Sequence, residues 1–83
     1  MPVEDYCPES MNIVKNIYAI ALDTGRGVTS IERSAGCTSG TMAMARKRNS
    51  SFTLRTALRL ARAVNLDLKD LMKDPEEFRK EFL

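Results

Sequence analysis

Thr38, Ser39, Gly40, Thr41, Ala43, Met44, Arg46, Lys47, Arg48 and Arg55 are the residues whose types and spacing could do chemistry in this chain. That chemistry is recognition of a polyanion. Short hydroxyls and small side chains at 38–44 allow close approach, and each can touch a single acceptor or a thymine methyl. The run Arg46-Lys47-Arg48 can grip phosphates, and Arg55 adds a fourth cation at the start of a later helix. Cations at the end of a helix also complement its dipole, by only ~0.3–1 kcal/mol each. Three in a row beside the small residues favour the phosphate role.

The charge distribution agrees. Residues 26–62 hold eight basic side chains against the single acid Glu32, whereas both flanks are acidic: 1–25 has one base against four acids, and 63–83 has four against six. A positive block set between acidic flanks suits a polyanion-binding face better than a uniformly solvated surface. Enzymatic chemistry has little to rest on. There is no His and no Gly-rich phosphate loop, and the carboxylates other than Glu32 fall in the two flanks. Cys7 and Cys37 lack metal-ligand spacing, so neither a metal nor another cofactor is expected. Two cysteines are also too few for a disulfide framework, and Cys37 in an apolar slot reads as a reduced, buried thiol. No apolar run approaches the ~20 residues of a membrane span, and no leader pattern is present, so a cytoplasmic protein without membrane contact is expected.

The elements that position these residues follow from periodicity and punctuation. Residues 1–10, with two prolines and no period, read as a loose arm. Ser10 is expected to cap a first helix over 11–23, whose Ile13, Val14, Ile17, Ile20 and Ala21 share a broad apolar face. Gly25 and Gly27 stop it. A second helix over 28–35 and a third over 39–47 are joined by a reversal at Gly36, where glycine enters the left-handed region without steric cost. Gly27, Val28 or Thr29 can begin the second helix, and Thr38 or Ser39 is expected to cap the third. Two short helices around such a turn follow the pattern of a helix-turn-helix, whose second helix can lie in a DNA major groove.

Further along, Thr53 caps a fourth helix over 54–64 with Leu54, Ala57, Leu58, Ala61 and Val64 as its apolar positions. Asn65 ends it in the left-handed conformation. Asp67 caps a short fifth helix bearing Leu68, Leu71 and Met72, and Asp74-Pro75-Glu76-Glu77 opens a last one with Phe78 and Phe82 on one side. The expectation is an all-α bundle of five helices, or six with the last. It is organised as an arm (1–10), a helix-turn-helix domain (11–73) and a C-terminal helical extension (74–83). The expected core is Ile17, Ile31, Ala35, Cys37, Met42, Ala45, Leu54, Leu58, Ala61, Leu68 and Leu71.

Two blocks resemble a known family. Ile31-Glu32-Arg33-Ser34-Ala35-Gly36-Cys37-Thr38-Ser39-Gly40-Thr41-Met42 is similar to Leu-Ala/Glu-x-x-Ala/Leu-Gly-Val-Ser-x-x-Thr-Ile of the lambda-repressor-like (Cro/repressor, XRE-type) helix-turn-helix proteins. Residues 53–72, from Thr53-Leu54-Arg55-Thr56 to Asp70-Leu71-Met72, resemble that family's Ser-Leu-x-Thr-Leu-x-x-Leu-Ala ending, at the family's separation without a gap. The resemblance covers about 11–72. It implies a compact lambda-repressor-like bundle and a transcriptional regulator of double-stranded DNA, repressor-like and of phage or mobile-element type. Such a regulator occupies an operator through the helix at about 39–47, as a homodimer on half-sites one turn apart, ~34 Å. It also implies outward positions at Thr38, Ser39, Gly40, Ala43, Met44 and Lys47.

The chain departs from the family pattern in three places. Glu32 stands where many members have Ala, and Arg48 or Asn49 replaces the usual Gly. The outward face has almost no Arg, Lys, Asn or Gln, the side chains that read bases in bidentate fashion, so phosphate contacts and DNA shape should carry much of the binding. The alternative is a helix-turn-helix fold that binds a protein partner, as an antirepressor-like adaptor or an antitoxin. An exposed Met44 on a helix of small residues suits that use.

Overall fold

The computed structural model describes residues 8–48 and 52–83. Six helices follow one another: α1 (Pro8–Thr24), α2 (Val28–Ser34), α3 (Thr41–Arg48), α4 (Leu54–Ala63), α5 (Leu68–Leu71) and α6 (Pro75–Phe82). No strand occurs among the described residues. The radius of gyration is 11.9 Å, about the 12 Å that scaling gives a compact chain of this length. No helix among the described residues is long and apolar enough to cross a membrane.

The long helix α1 is the spine, with α2, α3, α5 and α6 packed around it. It buries Met11, Ile13, Val14, Ile17, Ile20 and Ala21. It also buries two polar residues, Ser10 and Asn16, and half-buries Asn12. Asn16 donates from Nδ2 to the carbonyls of Leu71 and Lys73, both at 2.9 Å, and Asn12, one turn earlier, donates to Met72 at 3.1 Å. These carbonyls end the short α5, where no helical donor remains, so the asparagine pair fastens that end to the spine.

α1 begins three residues before the expected start. Pro8 occupies its first turn, where a missing N–H costs nothing because that donor has no helical partner anyway. Ser10 is therefore inside the helix rather than its cap. It is buried, and its hydroxyl accepts the Phe52 N–H at 3.1 Å, tying the start of α1 to the entry of α4. Of the expected arm, residues 1–7 lie outside the described residues, as do 49–51 of the loop before Phe52.

Several of the expected stops and caps are present. Gly25, Gly36 and Asn65 have positive φ, and the Leu66 N–H reaches back to the Ala61 carbonyl at 2.9 Å, closing α4 in a Schellman arrangement. Thr53 accepts the Thr56 N–H, and Asp74 accepts that of Glu76 with Pro75 in the first turn. Asp67 sits at the cap position of α5 but makes no side-chain capping bond.

Seven of the eleven expected core residues are buried: Ile17, Ile31, Ala35, Met42, Ala45, Ala61 and Leu71. Cys37 and Leu68 are half-buried against that core. Leu54 and Leu58 are not core residues, and Leu54 is 68% exposed. α4 is rotated so that Ala57, Leu60 and Ala61 face inward. This rotation sets Arg55, Arg59 and Arg62 on the opposite, solvated side. Phe78 of α6 is fully buried in the same core, and Phe82 stacks on it with ring centroids 5.0 Å apart.

Candidate nucleic-acid interface

Between α2 and α3 the chain reverses at Gly36 (φ 76°), with the Gly36 N–H bonded to the Arg33 carbonyl and the Cys37 N–H to that of Glu32 at 2.8 Å. A second left-handed residue, Gly40 (φ 91°), immediately precedes α3. α3 therefore begins at Thr41 rather than Ser39, because residues 38–40 form a turn in which the Thr38 carbonyl accepts both the N–H and the hydroxyl of Thr41.

The expected hydroxyl cap is replaced by a carboxylate. Glu32 is 1% exposed; its Oε2 accepts the Met42 N–H at 2.7 Å and its Oε1 the Gly40 N–H at 3.1 Å. A negative charge at the positive end of α3 answers both the unpaired amides and the helix dipole. Thr38 and Ser39 are thereby left at the surface. Spacing did not reveal the role of Glu32; the only signal was an acid where the family that the sequence resembles often has Ala.

Ser39, Ala43, Met44 and Lys47 are exposed with Thr38, while Gly40 and Thr41 are half-buried. Thr38, Ser39, Gly40, Thr41 and Met44 form one wall of a surface groove of about 370 Å³. Phe52, Thr53 and Thr56 at the start of α4 form the other wall, a set not singled out from the sequence. Arg55 is exposed in the first turn of α4. Arg48 ends α3.

Arg46 does not join this group. Its guanidinium lies 5.5 Å from the centre of the Tyr18 ring, so it faces α1 in a cation–π contact. Arg59 lies beside the turn: a Cβ placed on Gly36 would stand 3.8 Å from its Nη1. Arg26 is pinned by the Ala63 carbonyl and the Ser34 hydroxyl.

Burial of Glu32 changes the electrostatics of the whole segment. It is the sole acid between residues 26 and 62, so among the described residues every exposed charged side chain there is a cation. Cys37 lies beside it. Burial pushes its thiol up from the ordinary 9.0, the Glu32 carboxylate pushes it further, and the Arg59 guanidinium opposes both. In a Cys7→Ser background, alkylation of Cys37 at pH 8 should run roughly tenfold slower than that of an unstructured cysteine peptide. Equal rates would mean that the turn does not shield the thiol. Because the folded thiol holds its proton more tightly than the unfolded one, its contribution to stability is constant below the ordinary thiol range and falls as pH rises through it.

No family model, no curated protein and no solved structure matches the chain. Function must therefore be argued from the site's own chemistry. The site is the exposed face of a short helix, Ala43, Met44 and Lys47, with the hydroxyls of Thr38 and Ser39 before it and the start of α4 beside it.

Proposed function

We propose that this protein is a non-enzymatic, DNA-binding transcriptional regulator of the lambda-repressor-like helix-turn-helix type, with α2 and α3 as the motif and α3 in the major groove. The observation that carries the proposal is the electrostatic one: Glu32, the only acid of 26–62, is buried at the start of α3, so the charged side chains that this segment exposes, among the described residues, are all cations, beside the exposed Ser39, Ala43 and Met44. Ser39, Ala43 and Met44 then face base edges, and Lys47 and Arg55 face phosphates. One such helix spans too few base pairs to define a unique site, so the chain pairs on DNA as a homodimer over two half-sites.

The decisive experiment measures affinity for random and genomic duplexes across a salt series. Affinity should fall steeply with salt, and Lys47→Ala should weaken all duplexes alike and lower the slope by about one. A salt-independent affinity, or none, would sink the proposal. A second function, as a protein-binding adaptor, is favoured by one observation: Met44 is 45% exposed on a helix of small residues.

A further inference from the structure

A second groove, apolar-floored, runs along α1 and meets α3 only at Arg46. Along the outer face of α1, Lys15, Tyr18, Ala19 and Leu22 recur at helical spacing, and Leu22 is 89% exposed, more than any other large apolar residue described. Arg46 of α3 and Arg79 of α6 close over this stripe to form a groove of about 280 Å³. Three cations therefore border an apolar floor, and among the described residues no carboxylate lines it, Asp23 lying in the adjoining hollow beyond Leu22. The contact between Arg46 and Tyr18 keeps that guanidinium on the groove rather than beside Lys47. The groove shares no residue with the hollow between α3 and α4.

We propose that this groove docks an acidic amphipathic helix of a partner protein. Apolar side chains of such a helix would lie along Tyr18, Ala19 and Leu22, and its carboxylates would meet Lys15, Arg46 and Arg79. Charge complementarity selects this occupant over a second copy of the chain, because a two-fold pairing sets each patch against itself and brings the three cations face to face with their equivalents. Concavity selects it over a flat anionic membrane. The inference does not depend on the DNA-binding proposal.

The test uses the full chain and labelled synthetic helical peptides read by fluorescence anisotropy: one with Leu and Glu on opposite faces, its counterpart with Lys for Glu, and a scrambled acidic control. The acidic amphipath should bind at least about tenfold more tightly than either control, a difference of about 1.4 kcal/mol. Leu22→Glu and Arg79→Glu should each remove that preference with unchanged circular dichroism, since both side chains are exposed, and Lys47→Ala should retain it. Equal binding of the three peptides, or no binding, overturns the proposal. So does sedimentation showing a dimer that Leu22→Glu dissociates, which would assign the groove to a second copy. Capture of the chain by anionic vesicles through the same residues would assign it to a lipid surface instead.

Discussion

Replacing Glu32 with Ala is expected to lower the unfolding free energy by about 3 kcal/mol, and the melting temperature by roughly 12–24 °C. Two charge-assisted bonds disappear, at 2.7 and 3.1 Å, and the Gly40 and Met42 amides lose their acceptor. The side chain is 1% exposed, so a cavity is left as well. In a chain of 83 residues, where total stability of such domains is ~5–15 kcal/mol, that loss is a large share. Glu32→Gln keeps one acceptor oxygen but turns an amide donor toward a backbone donor, so it should cost about half as much. Urea and thermal unfolding followed by circular dichroism provide the measurement. A Glu32→Ala protein within about 0.5 kcal/mol of the parent would show that the carboxylate is not what holds the start of α3.

What the sequence made legible was whatever a residue imposes on its own backbone. Gly36 and Asn65 adopt positive φ, α1 stops before Gly25, Thr53 and Asp74 cap their helices, and Pro75 opens α6, because each of these is decided within a few residues. What escaped was decided across the fold. Glu32 meets amides eight and ten positions away only because the turn brings α3 back over α2. Arg46 lies in a basic triplet, and its direction is set by Tyr18, which stands on another helix. Ser10 looks like a cap in sequence, yet a proline two residues earlier lets the helix start sooner and frees the hydroxyl for Phe52.

The orientation of α4 is instructive because the signal was present. Ala57 and Ala61 fit an apolar stripe with Leu54 and Leu58 as readily as one with Leu60 and Val64, so hydrophobic periodicity alone leaves the rotation open. The three arginines at 55, 59 and 62 share one face, and the direction opposite their centre passes between Ala57 and Leu60. A cation's hydration cost fixes the solvent side more firmly than a leucine fixes the core, since apolar atoms are common on protein surfaces and buried charges are not. The structure follows the arginines.

Met44→Asp should abolish duplex binding, by at least about a hundredfold or roughly 2.7 kcal/mol, while the fold is kept. The side chain is 45% exposed and absent from the core, so the change costs little packing, and an aspartate in a helix interior costs only ~0.5 kcal/mol in propensity. Its effect is electrostatic. At Met44 a carboxylate would stand on the surface proposed to meet phosphate, in a segment, 26–62, with no other exposed acid among the described residues, and burying it against DNA would add like-charge repulsion to desolvation. Met44→Ala removes an apolar contact alone and should cost tenfold or less, about 1.4 kcal/mol. Leu22→Glu adds the same charge in a groove that shares no residue with the one Met44 lines, and should leave duplex affinity nearly unchanged, which separates a local effect from a change in net charge. Gel-shift titrations at one fixed salt concentration compare the three. If Met44→Asp and Leu22→Glu bind duplexes alike, α3 does not enter the groove. If Met44→Asp instead eliminates association with a protein while duplex binding is absent throughout, the exposed methionine serves the adaptor function.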